Sequence, residues 1–422
     1  MSDETATLRT LAGNGMRVVE MPVAGRLATS ISIAFAAGSR HERAGEVGAA
    51  HLLEHMAFKG TQSLPTAREL NRSAERLGTE LNANTSHDYV EFHALVRAER
   101  SMEVAAMLAD LCARPLLPAE LLEGERDVVL QEIADNDDDP SAAADRLLSA
   151  ALFAGHRLAT PVTGDAEHVR RLAHADLLAF RERCWSPAAG VAVLAGNLDH
   201  VDRSRLDELL LAIPARPIAE PPSPIAAFAP RIELEPREGD VAHLRIAYDV
   251  PGLELADARS RAVAEVFSQV LGGPMGSRLV DELREQRGLC YAIDGSVWGY
   301  PRRSMLSVDA SLQGDRLAEA CELVDAIVAD LRRDGPTAEE AQRMRAYAVG
   351  MFALSFDSIG ARAGHALETL MEYGDERIEP LAHLRAIESV TREDLAELAA
   401  RIAPQPCIGC AGDVDARAFE RA

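Results

Sequence analysis

Residues 47–60 read VGAAHLLEHMAFKG, an apolar run that carries three ionisable side chains, His51, Glu54 and His55. The pattern predicts a buried helix. His51 and His55, at i and i+4, project from one face about one turn apart, which is the placement two imidazoles need to share a metal ion. Glu54 stands beside that face. The order is His-x-x-Glu-His, the inverse of the commoner zinc-peptidase motif, so ligands and general base run in the opposite sense along the helix. The competing reading is two core histidines bonded to backbone carbonyls beside an incidental glutamate. Leaving three such groups in a dry turn without a metal or partner would cost several kcal/mol, which disfavours it.

A catalytic zinc takes three protein ligands and keeps one exchangeable water, so the two histidines require a third donor from elsewhere. Residues 119–136, AELLEGERDVVLQEIADN, read as a helix with Leu122, Val129 and Ile133 in one apolar stripe. Glu125 and Glu132 are seven positions apart and fall near one another around its axis. Glu132 is the expected third ligand, with Glu125 hydrogen-bonding around the site; a solvated acidic helix face is the alternative. The acidic run DNDDDP (135–140) reads as the loop that ends this helix.

The chain has 422 residues, room for two or three domains. Hydrophobic content of 47% and charged content of 26% exclude disordered, collagenous and disulfide-scaffold classes. The formal net charge of −23 argues against nucleic acid or an anionic membrane as partner. Lys59 is the only lysine among 44 basic residues, which reads as codon bias toward G and C. No apolar run approaches the length of a membrane span, and the opening MSDETATLRT lacks a basic n-region with an apolar core, so a cytoplasmic protein is expected. The six cysteines are too sparse for a disulfide framework. Cys407 and Cys410 form a CxxC with no second pair to complete a zinc site; two small residues in a C-terminal strand is the preferred reading, a redox pair the other.

Residues 213–230, IPARPIAEPPSPIAAFAP, hold six prolines and can continue neither a helix nor a central strand. This linker divides the chain into domains 1–212 and 231–422. Strands are expected at ISIAFAAG (31–38) and VEFHALV (90–96) in the first half, and at HLRIAYDV (243–250) and MLSVDASL (305–312) in the second. TARELNRSAERLG (66–78) reads as a helix closed by its glycine. The fold class is α+β, and the similar order in the two halves hints at a duplication.

With these residues in view, the chain resembles the pitrilysin/insulinase family of inverted-motif zinc peptidases, in the branch of the mitochondrial processing peptidase. In that family the third ligand follows the second histidine after about 76 residues inside a Glu-x(6)-Glu segment, and here Glu132 follows His55 by 77 positions, within ERDVVLQE. HLLEHMAFKGT (51–61), LNANTSHDYVEFHALV (81–96), TGDAEHVRRLAHADLLAF (163–180) and CWSPAAGVAVLAGN (184–197) resemble family segments in kind and order. The resemblance implies two homologous α/β-sandwich domains of the LuxS/processing-peptidase-like metallohydrolase type, one Zn2+ per chain on His51, His55 and Glu132, and Glu54 as general base. It also implies that Glu125 supports the centre and that Asn82 and Ala83 lie on an edge strand that binds the substrate backbone. LGGPMGSRLVDELREQRGLCYAIDG (271–295) resembles the stretch that contributes a substrate-binding arginine and tyrosine, here Arg284 and Tyr291, with Gly288 capping the helix between them. Expected function is endopeptidase cleavage of peptides inside a dimeric clamshell, as a homodimer or as a heterodimer with a related subunit. The alternatives are a catalytic or scaffold subunit of a heterodimeric processing peptidase, a non-catalytic peptide-binding paralogue and a small-molecule zinc hydrolase. None of the motif residues is lost, which disfavours a non-catalytic relative.

Overall fold

The computed structural model describes residues 6–300 and 302–419. The described strands form two sheets. The first runs in the order β1 (Thr7–Thr10), β2 (Arg17–Pro22), β6 (Gly190–Gly196), β3 (Ala28–Phe35), β5 (Val90–Arg97), β4 (Asn82–Thr85). The second runs β7 (Ile232–Pro236), β11 (Cys407–Gly412), β8 (Val241–Asp249), β10 (Arg303–Gln313), β9 (Cys290–Tyr300). With β1 set aside the two orders are the same. Each sheet also has a single parallel pair in the same place, β2 with β6 and β7 with β11, and is antiparallel elsewhere. The hinted duplication is therefore written in backbone pairing. Residues 214–231 lie between the sheets and carry no helix or strand.

Why the closing strands are apolar throughout follows from what covers them. In β6, Ala192 and Leu194 face the core beneath the first half's own helices, while Val191, Val193 and Ala195 face a second cluster. That second cluster is completed by Ala363, Ala366, Leu367 and Leu370, from helix Ile359–Met371 of the C-terminal half. A strand buried on both faces shows no polar alternation. The exchange is reciprocal: helix Pro140–Leu152 of the N-terminal half lies across the second sheet, placing Leu148, Ala151 and Leu152 against Ala247, Met305 and Cys407. It comes so close that a Cβ on Gly409 would meet the Leu148 backbone nitrogen at 2.3 Å, so β11 needs a glycine there.

The acidic run 135–140 departs from expectation. Helix Leu122–Asp138 continues through it, and Asp139, extended before Pro140, caps the next helix by accepting from the Ser141 amide. Nothing in Asn-Asp-Asp stops a helix outright; the residue before proline is what is forced out of helical geometry. Helix Ala67–Arg76 opens on a capping box between Thr66 and Glu69, and Gly78 follows it at φ +74°. Cys407 and Cys410 are both free and buried in β11 and belong to clusters on opposite faces of the sheet. They form no redox pair. Among the described residues no helix is long and apolar enough to cross a membrane.

Because each half roofs the other's sheet, residues 1–212 expressed alone would expose the apolar face of Val19, Val191 and Val193 and leave helix Pro140–Leu152 unpaired. The isolated halves are expected to aggregate, and co-expressed halves to elute together in size-exclusion chromatography.

Candidate metal centre

The centre is built from two helices that cross antiparallel. The histidine helix, Ala49–Ala57, buries Leu52, Leu53 and Met56 and turns His51 and His55 toward the carboxylate helix, Leu122–Asp138. His51 Nε2 lies 3.7 Å from Glu132 Oε2, and His55 Nε2 lies 3.6 Å from Glu132 Oε1. One turn along, the other nitrogen of His55, Nδ1, lies 3.6 Å from Glu125 Oε2, and Lys59 Nζ is 2.6 Å from Glu125 Oε1. The side chains thus alternate like rungs: residues 51 and 55 ascend one helix, Lys59 follows in the turn just past its end, and 132 and 125 descend the other.

Glycine and charge fix where the histidine helix begins. Its N-cap Gly48 has φ +88°, and a Cβ there would press on the Thr163 carbonyl and Val169. Glu42, with a fully buried side chain, accepts from the amides of Gly48 (3.1 Å) and Ala50 (2.9 Å) and from Arg157 Nε (2.8 Å). This satisfies amide groups that a helix start leaves without partners, and places a negative charge at the positive end of the dipole. Burial pushes the Glu42 carboxyl up, and Arg157 with the two amides pulls it back.

Glu54 projects beside the two histidines and accepts a 2.6 Å hydrogen bond from Thr85 Oγ1, on β4. Burial raises its carboxyl above the usual range, and the Thr85 bond opposes that shift. Burial, then the neighbouring His55, lowers His51 to about 4, leaving a neutral imidazole, the form that ligates metals. The Nδ1 of His51 is buried without a hydrogen-bond partner among the described residues.

Do these residues fit a metal? Among the described residues, His51, His55 and Glu132 form the one group of three such side chains whose donor atoms all lie within 4.8 Å of one another. The 3.6–3.7 Å separations between imidazole nitrogens and carboxylate oxygens are too long for hydrogen bonds. They are close to the edge of a tetrahedron of ligands around a zinc-sized ion, about 3.3 Å for bonds of about 2.05 Å. The donor set of two imidazoles and one carboxylate fits. In the second half, helix Ala258–Leu271 takes the histidine helix's place after β8, and its sequence ARSRAVAEVFSQVL contains no histidine.

The residues expected to bind substrate lie on sheet edges. Asn82 and Ala83 begin β4, at the edge of the first sheet. Tyr291 lies on β9, at the corresponding edge of the second, where the register slips: Leu312 pairs with Cys290 and Ser311 with Ala292, leaving Tyr291 as the extra residue of a bulge. A bulge re-aims its side chain, and Tyr291 is 89% exposed. Arg284 sits in a π-helical turn, Val280–Gln286, that closes on Gly288 at φ +59°. Among the described residues no hydrogen bond or ion pair links Arg284 or Tyr291 to the metal cluster. Sequence reasoning missed Thr85, Glu42 and Arg157, and read Lys59 only as codon usage. The Lys59 signal was available, since 51, 55 and 59 follow one another at four-residue spacing.

Residues 24–166 match the family described as Insulinase (Peptidase family M16), and residues 171–347 the one described as Peptidase M16 inactive domain. An uncharacterized zinc protease of Mycobacterium tuberculosis is 31% identical over 92% of this chain and 89% of its own length. One of Bacillus subtilis is 30% identical over 83% and 84%. Among solved structures, a peptidase M16 inactive domain from Pseudomonas fluorescens superposes with TM-score 0.86 at 20% identity, covering 97% of this chain and 98% of that one. A protease from Helicobacter pylori superposes at TM-score 0.83 and 20% identity, covering 96% and 99%. A two-sheet fold, an inverted histidine motif met by a distant carboxylate, and these likenesses agree: the chain belongs to the insulinase family of peptidases, family M16.

Proposed function

We propose that this protein is a zinc-dependent endopeptidase, with one zinc per chain held by His51, His55 and Glu132 and with Glu54 as general base. The observation that carries the reading is three donors within 4.8 Å of one another, with both imidazoles 3.6–3.7 Å from Glu132 and a half-buried carboxylate beside them. The names of the relatives as zinc proteases support the metal. Zinc held by His51, His55 and Glu132 would supply Lewis acidity, lowering the pKa of a water toward about 7 and polarising the scissile carbonyl. Glu54 takes the proton of the attacking water on its carboxylate and delivers it to the leaving nitrogen. Thr85 holds that carboxylate in place, and its raised affinity for a proton, from burial, suits a group that must both accept and return one.

The substrate runs as an added strand along β4, whose edge leaves backbone groups open and whose hold depends little on side-chain identity. Arg284 and Tyr291 steady the substrate carbonyl or the developing oxyanion, worth about 3 kcal/mol when well placed. Among the described residues they make no polar contact with the metal cluster, which suits residues offered by a second copy across a dimer that closes over an extended peptide. A heterodimer with a related subunit would use the same geometry.

Glu54→Gln is expected to abolish peptide hydrolysis while leaving zinc bound at one per chain by metal analysis; an active variant would refute the base assignment. Thr85→Val removes a hydrogen bond to a charged group, worth about 1.5–3 kcal/mol, and should lower kcat about 10- to 100-fold with zinc content unchanged. Chelation should stop cleavage of a peptide library and zinc restore it, and sedimentation should show activity in a dimer; an active monomer would overturn the shared site.

A further inference from the structure

Lys59 is the only lysine of the chain, which uses arginine at its other 43 basic positions, and it sits at the metal cluster. Its backbone amide donates to the Met56 carbonyl just past the end of the histidine helix, so it follows His51 and His55 at the same four-residue spacing. Its ammonium is 2.6 Å from Glu125 Oε1, with only 23% of the side chain exposed against 15% for Glu125. The other oxygen of Glu125 faces His55 Nδ1 at 3.6 Å, and the opposite nitrogen of that ring faces Glu132.

We infer that Lys59 is a positioning residue for the metal centre: it holds Glu125 with one oxygen 3.6 Å from His55 Nδ1, where its negative charge favours the ring tautomer protonated at Nδ1 and leaves Nε2 facing the ion. A ligating histidine is fixed in tautomer and ring orientation by what its second nitrogen bonds, and losing such a partner weakens metal binding about 10- to 100-fold. Glu125 alone is a poor clamp, since a glutamate has several rotamers. Lys59 occupies one oxygen and leaves the other aimed at His55.

Two roles for Lys59 predict opposite signs. As a bare positive charge near a cation it would repel zinc, so that Lys59→Met would tighten binding. As the clamp on Glu125 it supports the ligand, so that Lys59→Met weakens binding. The experiment is zinc affinity by chelator competition on the full-length protein, wild type against Lys59→Met, Lys59→Arg, Glu125→Gln and the double variant Lys59→Met/Glu125→Gln. Expected are a loss of about tenfold for Lys59→Met, recovery of most of it in Lys59→Arg, and no further loss when Lys59→Met is added to Glu125→Gln. Thermal unfolding of the metal-free proteins checks that the fold is intact. Should Lys59→Met not fold, acetylating the single lysine of folded wild type asks the same question, with Lys59→Arg as the control for acylation of the α-amine. Zinc binding as tight as wild type or tighter after loss of the ammonium, or an equal loss in the Glu125→Gln background, overturns the inference. It rests on the proposed zinc site, and wild type that bound no zinc would sink that reading instead.

Discussion

The structure turns on the crossing of two helices whose facing side chains would be hard to bury apart. Two imidazoles one turn apart, a glutamate between them in sequence and two more carboxylates from a segment some seventy residues on converge in a half-buried slot. Desolvation opposes charge in such a place, and its direction is visible in the lowered His51 and the raised Glu54. What makes the arrangement tenable is pairing: Lys59 with Glu125, Thr85 with Glu54, and, in the proposed function, a cation for the remaining donors. Glu42 and Arg157 do the same at the other end of the histidine helix, locking the start from which the spacing of 51 and 55 is counted.

The rest of the molecule holds that crossing in register. The carboxylate helix runs directly into helix Pro140–Leu152, separated from it by Asp139 alone, and that second helix is pinned against the other half's sheet. The position of Glu132 is thereby tied to the C-terminal half, which carries no copy of the histidine motif. A half that lacks the histidine motif still sets the approach of the carboxylates to the candidate centre, through the helix it pins.

Much of this was legible in the primary structure, and the limits are physical. His51, Glu54 and His55 could be read together because helical periodicity converts spacing into facing, whereas the match of Glu132 to them rested on the spacing that the family resemblance implies. The linker could be read because proline forbids its alternatives. The duplication was only a hint, since strand order depends on backbone pairing that many side chains allow. The helix exchange could not be read from either half alone: Val191, Val193 and Ala195 announce a second buried face, and nothing in them says which helix covers it. Thr85 escaped notice because its partner is far away in sequence and close only through the sheet. The end of the carboxylate helix was misplaced because acidic residues were read as a stop, when the proline after them was the stop.

The two open sheet edges have a further consequence. β4 is four residues long and polar, with Asn82 and Asn84 outermost, whereas β9 offers eleven residues with a protruding tyrosine at a bulge. An unpaired rim of amides and carbonyls recruits any extended chain that reaches it, a foreign or half-folded one included. Brevity guards the first rim, and the kink at Tyr291 trims the second at its start. Straightening that kink would lengthen the sticky border and favour filament-like stacking of copies over solubility.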